Sequence, residues 1–347
     1  MHRLFVSNTT REDTNFASLK RQIVAEGLLV KDPFYYGRKL LEALALFAAS
    51  AILLRLGHDA GTESLSAVAL AVTFTQIGFI GHDAGHRQIF DAPWKNDLVG
   101  LVLVDLVLGF GYTWWVDKHQ RHHRHPNRLD HDPDVSLPWI RLSTRQLRAG
   151  SSWFHRLIVS HQALLFFPFL VFLTISLRWD TAMFLLRNRS PYRWLEVVLL
   201  WCHVMLYGAG VVLVLGIQHP FLFIAVHQAC LGLFLGSAFA ANHKGMPMLD
   251  AGPPAPFLWR QVVTTRNLRP HHLIDFWYGP LACQIEHHLF PQMPRCNLRK
   301  AARLVRAFCV SHGVPYHETG VVRAYVEILR HLRQVSAASL RAPLERS

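Results

Sequence analysis

The sequence predicts an all-α integral membrane protein: four transmembrane helices in two hairpins, with a cytoplasmic helical cap that holds a histidine-rich dimetal site. Three observations lead there. The chain has 347 residues and is 51% hydrophobic, with a positive mean hydropathy. That fits long apolar runs lying in a bilayer better than a water-facing domain. Three histidine clusters stand at the edges of those runs: His82-Asp83-Ala84-Gly85-His86, His119-Gln120-Arg121-His122-His123 and Gln284-Ile285-Glu286-His287-His288. The formal net charge is +13, and the basic residues flank the apolar runs. Anionic head groups and the positive-inside rule account for them, and no nucleic-acid partner is expected.

The elements follow in order. Residues 1–34 form a mixed polar, cytoplasmic segment with no apolar core, which is not read as a signal peptide. Arg38 and Lys39 precede an uncharged Leu/Ala-rich run over 43–54. Extended to 40–56, it predicts the first span, a little short of the ~20 residues a bilayer asks for. The link 57–64 carries Asp59 and Glu63 and no Lys or Arg. Residues 64–81 predict the returning span and end in the first cluster. Residues 97–116 are apolar but interrupted by Asp105, and predict a peripheral or re-entrant helical segment. After the second cluster, Pro126, Pro133 and Pro138 predict loop. Residues 157–177 lie between Arg156 and Arg178 and are expected not to cross. Residues 197–217 and 221–241 predict the third and fourth spans, with His219 and Pro220 at their turn. Residues 297–311 and 321–335 read as amphipathic helices. A Ser/Ala/Arg tail over 336–347 is expected to be disordered.

The two outer turns lack Lys and Arg, so the positive-inside rule places both termini and all three clusters on the cytoplasmic side of the plasma membrane. A crossing by 157–177 would separate the second cluster from the third. The five cysteines form no CxxC pair and read as reduced packing residues, which excludes an iron–sulfur cluster within the chain.

The clusters carry the chemistry. Residues three or four apart on a helix share a face, so His82 and His86 point one way, as do His119, His122 and His123. His82 and His86 alone would read as an interfacial pair. Asp83 is placed to orient an imidazole through its other nitrogen. His125 and His131 continue the second run without its spacing, and the acidic residues Asp130, Asp132 and Asp134 are placed either to bond imidazoles or to cap helix ends. Gln284 offers only a neutral carbonyl and is expected to bind metal through water or not at all. His243, beside Asn242, stands just past the last span at the same membrane level. His203 and His227 lie inside spans and read as neutral side chains bonded to neighbouring helices. His271 and His272, in a Pro-bounded loop, are not read as ligands. The seven cluster histidines plus His243 exceed what one catalytic zinc uses and suit two metals. An all-nitrogen, histidine-rich set points to non-haem iron and oxygen chemistry.

At these residues the sequence resembles the membrane fatty acid desaturases. Their HxxxH, HxxHH and H/QxxHH boxes are matched by His82 and His86, by His119, His122 and His123, and by Gln284, His287 and His288. The stretches 81–88, 117–127, 132–134, 242–247 and 284–291 are similar to actinobacterial acyl desaturases, and the likeness runs over 35–332. It implies a membrane desaturase domain over 35–335 with two iron ions and O2 as co-substrate. It also implies an acyl-CoA or acyl-lipid substrate in contact with membrane lipids, into which a cis double bond is placed. The loop at His271 and His272 and the residues Ala282 and Cys283 depart from the bacterial pattern. No haem-binding HPGG motif is present, so a separate electron donor, a ferredoxin or a flavin reductase, is expected. An acyl-chain hydroxylase would share the same boxes. A membrane metal transporter or sensor would place its ionisable groups in mid-span, which these clusters do not do.

Overall fold

The computed structural model describes residues 9–57, 59–146, 152–211, 216–249 and 255–341. In chain order, α1 (Thr9–Ala25) precedes α2 (Pro33–Leu56), α3 (Ala60–Gly85) and α4 (Pro93–Gly100), which continues as a π-helical turn over Leu101–Leu108. Next come α5 (Tyr112–Arg124), α6 (Trp153–Ser160), α7 (Gln162–Leu170), α8 (Leu173–Arg187), α9 (Arg193–Ala209) and α10 (Pro220–His243). The last third holds α11 (Phe257–Val263), α12 (His272–Tyr278), α13 (Gln284–Leu289), α14 (Arg295–Ser311) and α15 (Val321–Arg341). A two-residue parallel pair, β1 (Asn267–Leu268) with β2 (Glu318–Thr319), is the one sheet among the described residues. The chain divides into two compact units. Unit 1 takes 1–30, 119–168 and 238–347; unit 2 takes 31–118 and 169–237.

Unit 2 is built on a helical hairpin. Asp32 caps α2 by accepting from Tyr35 N at 3.0 Å, with Pro33 preset for the first turn. Asp59 caps α3 by accepting from Gly61 N at 2.8 Å and Thr62 N at 3.1 Å. Between the helices, Ser50 and Ser66 donate to each other's carbonyls at 2.9 and 2.8 Å, so these buried hydroxyls are satisfied inside the apolar interface. The buried Glu63 carboxylate accepts from the backbone of Gln218 at 2.6 Å and His219 at 3.0 Å. The turn before α3 and the turn before α10 therefore meet at one end of this unit, as two outer turns on one side would. Gly109 ends the π-helical turn at φ 72°, and a Cβ there would lie 2.3 Å from the His203 ring. The chain bends by 112° between Pro93–Leu108 and Tyr112–Arg124. The segment 97–116, expected to be peripheral or re-entrant, holds this bend.

Unit 1 packs α1, α11, α13 and α14 around a core that includes Leu19, Ile23, Val262, Ile285, Leu298 and Val305. Helix α14 buries Leu298, Ala301, Val305 and Phe308, and α15 buries Ala324, Ile328, Leu332 and Val335. Both show the spacing of an amphipathic helix on a core. The fully buried Arg266 guanidinium donates to Glu327 and to the Lys244 carbonyl, tying the loop after α10 to α15. Helix α15 runs to Arg341, so the segment expected as a tail is helical as far as that residue. The Ser336 hydroxyl donates to Val159 O at 2.8 Å and is buried, which a disordered tail would not permit. Residues 342–347 lie outside the described residues.

The all-α reading holds, and the span count differs in part. Helices α3 and α10 are long and apolar enough to cross a membrane, and up to four spans result if two bent pairs each count as one. Those pairs are Pro93–Leu108 with Tyr112–Arg124 and Gln162–Leu170 with Leu173–Arg187. Two of the four expected spans are thus found outright. Helix α2 has the length but holds Arg38, Lys39, Glu42 and Arg55. Helix α9 is described as 17 residues, and part of the run expected through residue 217 lies outside the described residues.

Candidate metal centre

Unit 1 gathers six of the eight expected ligands. Helix α5 carries His119, His122 and His123 on adjoining turns, α10 ends in His243, and the short α13 is buried along its whole length. Asn267 holds α13 in place. Its carbonyl oxygen accepts from Ile285 N at 2.9 Å, and its amide donates to Glu286 at 2.6 Å. The other Glu286 oxygen accepts from Tyr316 at 3.0 Å. Burial pushes the Glu286 carboxyl up to about 7 against these bonds.

Three imidazoles in this unit are fixed in the same way. His122 Nδ1 bonds both oxygens of Asp132 at 3.0 Å. His243 Nδ1 bonds the Thr264 carbonyl at 3.2 Å. His288 Nδ1 bonds Gln261 Oε1 at 2.9 Å, while the Gln261 amide donates to the His123 carbonyl at 2.8 Å and so fixes which way the Gln faces. All three partners at Nδ1 are acceptors, so each Nδ1 carries the proton and each Nε2 presents a lone pair.

Those lone pairs converge. One ring nitrogen from each of His122, His243 and His288 lies within 4.8 Å of the other two. His122 Nε2 and His243 Nε2 are 3.2 Å apart, and two lone pairs cannot hydrogen-bond each other. His288 Nε2 is buried with no hydrogen-bond partner. Burial, with the imidazoles around it, holds His288 well below the usual histidine range, so it is a neutral donor atom. Nitrogens ligating one ion at about 2.1 Å stand about 3.0–3.4 Å from each other. The residues present therefore fit a bound cation.

The remaining predicted residues fall as follows. His119 Nε2 and His123 Nε2 are 3.1 Å apart, and the His287 ring centroid lies 4.8 Å from that of His123 and 6.2 Å from that of His119. In unit 2, the His82 and His86 ring centroids are 4.8 Å apart, and His82 Nδ1 bonds Asp83 at 3.0 Å, the role expected of Asp83. The Gln284 side chain, expected to bind metal through water or not at all, reaches the site, with its amide nitrogen 2.9 Å from His243 Nε2. Asn242 was expected beside the ligands. Its amide donates to the carbonyls of Arg266, at 3.1 Å, and Leu281. His271 and His272 are exposed, with ring centroids 4.2 Å apart and tilted by 33°, and belong to no group of converging ligand atoms among the described residues. His203 and His227 bond Leu106 O and the Tyr207 hydroxyl within unit 2, as read from the sequence. Sequence reasoning missed Gln261 and Thr264, which hold ligands from 27 and 21 residues away.

A family model described as fatty acid desaturase matches residues 64–320, which include every box histidine. The chain belongs to the fatty acid desaturase family. It is 32% identical over 333 residues to an acyl-lipid (9-3)-desaturase of Physcomitrium patens, a match covering 94% of this chain and 63% of that protein. It is 28% identical to a delta-6 fatty acid desaturase of Caenorhabditis elegans, over 93% of this chain and 75% of the other. It is 29% identical to fatty acid desaturase 3 of Bos taurus, over 95% and 74%. The chain thus spans less than two thirds of the moss desaturase. Desaturases of this family are membrane-bound, need iron and act on acyl chains. The narrower actinobacterial likeness rests on the motifs alone.

Proposed function

We propose that this desaturase is an oxygen-dependent acyl desaturase that places a cis double bond in a lipid- or thioester-linked acyl chain. The observation that carries the reading is the convergence of the Nε2 lone pairs of His122, His243 and His288. These three would hold one iron ion. His119, His123 and His287 would contribute to holding a second, for which the sequence boxes also nominate His82 and His86. Bound iron, with O2 as co-substrate, supplies the oxidising power that no side-chain acid or base has toward an unactivated methylene. The chain's own residues do the rest. Asp132, Thr264 and Gln261 keep the Nδ1 protons, and so the lone pairs, in fixed directions. The buried α13 keeps water from the ligands.

Further parts of the reading rest on the sequence and the relatives. The desaturase domain is 35–335. The moss relative's acyl-lipid name favours a chain attached to a membrane lipid, with acyl-CoA the other carrier class. Electrons come from a separate ferredoxin or flavin reductase. The metal site and both termini face the cytoplasm at the plasma membrane, and the meeting of the two Lys- and Arg-free turns at Glu63 supports that arrangement.

The test is expression of the chain in a host, followed by mass spectrometry of total fatty acids with the double bond located. A new monounsaturated or further unsaturated acid, dependent on oxygen and lost in His122→Ala, is expected. A hydroxy acid would move the reading to a hydroxylase. Bound zinc with no oxygen-dependent product would move it to metal transport or sensing.

A further inference from the structure

Unit 1 has a second feature that the metal centre does not use. An open groove of about 690 Å³ lies between the segment leading into α12 and the first turns of α15. Its charged lining is Arg269, Arg323 and Arg330, and its apolar lining includes Ile274, Val322 and Val326. No acidic residue lines it among the described residues. The nearest carboxylate on the same helix, Glu327, is already taken by Arg266, His317 and Arg323 Nε. Arg323 is thereby partly neutralised, while Arg269 and Arg330 are exposed and offer the free guanidinium charge.

The groove and the adjoining helix α12 also expose apolar side chains that water would disfavour. Val322 is 78% exposed and Val326 36%; on α12, beside Ile274, Leu273 is 60% exposed and Trp277 37%. A soluble acidic protein or a free nucleotide would neutralise the arginines and leave these apolar side chains wet. A leaflet surface covers both at once. Valine, leucine and the tryptophan edge enter the head-group and acyl boundary, and the guanidinium groups meet phosphate.

We propose that this groove binds the phosphate of an anionic phospholipid head group and seats the α12–α15 face of unit 1 on the membrane surface. Arg269 and Arg330 take the phosphate oxygens, for which the guanidinium fork is shaped. The valines of α15 take the first methylenes of the lipid. The proposal stands apart from the reaction and needs no metal.

The full chain in detergent micelles is titrated with short-chain phosphatidylglycerol and with phosphatidylcholine of the same acyl chains, and bound lipid is counted by native mass spectrometry. Phosphatidylglycerol is expected to bind more tightly. The variant R269Q/R330Q should weaken it by about 25-fold, about fivefold for each arginine, removing the preference over phosphatidylcholine and leaving iron content unchanged. The single variants R269Q and R330Q, at exposed positions, replace the double variant if that one does not fold. Equal binding of the two lipids by the wild type, or unchanged phosphatidylglycerol binding in the variants, overturns the proposal. So does displacement of the lipid by equimolar coenzyme A or inorganic phosphate, which would make the occupant a soluble phosphate.

Discussion

Two sets of buried histidines invite comparison. In unit 1, His122, His243 and His288 are each bonded at Nδ1 to an oxygen acceptor and turn their Nε2 atoms toward one point. In unit 2, His203 and His227 are as deeply buried, but they turn apart. His203 Nδ1 meets Leu106 O at 3.1 Å with its ring stacked on Tyr207, and His227 Nδ1 meets the Tyr207 hydroxyl at 2.7 Å with its ring against Phe74. Burial is common to both sets, so burial does not mark a ligand. What marks one is a set of Nε2 atoms aimed at one another. The first set costs desolvation that a cation offsets; in the second each Nδ1 has its own neighbour, and neither ring belongs to a group of converging ligand atoms among the described residues.

The largest expected effect breaks the first set directly. His122→Ala or His288→Ala should take iron content and product below detection in purified protein, while His227→Phe should leave iron content unchanged. Loss of iron in His227→Phe, or retention of full iron and activity in His288→Ala, would erase the distinction. Metal analysis with fatty acid profiling decides it.

A smaller loss should come from the residues that hold the rings. Asp132→Asn keeps the shape and removes the charge that fixes His122 as a lone-pair donor. Such partners are worth about 10–100-fold in metal affinity or activity, and competition with a chelator would read that loss. Gln261→Leu should fall at the lower end of the same range, since it removes a neutral acceptor from His288 and a donor from the His123 carbonyl. A wild-type chelator profile in Gln261→Leu would mean that packing alone orients His288.

These same residues mark the limit of what the sequence carries. The boxes are legible because their spacing is local: His119, His122 and His123 sit on one helix, and His287 and His288 on another. Thr264 acts through its backbone carbonyl, which has no side-chain signature, and Gln261 is an unremarked glutamine until the fold brings it to His288. Asp132 was ambiguous between capping and ligand support because it does both, accepting from Asp134 N and Asn127 N as well as from His122. The spans show a similar division. Uncharged runs mark α3 and α10, whereas hydropathy cannot tell a straight crossing from one broken at Gly109. Charges at both ends of α2 leave its depth to be set by packing, for which residues such as Ser50 and Leu54 provide the contacts.

The smallest expected effect sharpens the comparison from the other side. Tyr207→Phe removes one hydroxyl, whose partner is His227 Nδ1. Hydrogen bonds between side chains of membrane helices average about 0.6 kcal/mol, because the unfolded chain in the membrane also finds partners. Gln228 limits the loss further, since its amide lies 3.2 Å from the same nitrogen and can donate in place of the hydroxyl. The variant should therefore melt only slightly below the wild type in a thermal scan, with iron content and product yield unchanged. A marked fall in iron would mean that His227 serves the metal centre after all. A large fall in stability with iron retained would mean that the Tyr207–His227 pair anchors unit 2 far more strongly than one hydrogen bond can. The expected result, a small loss of stability and nothing else, is what separates a histidine packed among its neighbours from one held for a metal.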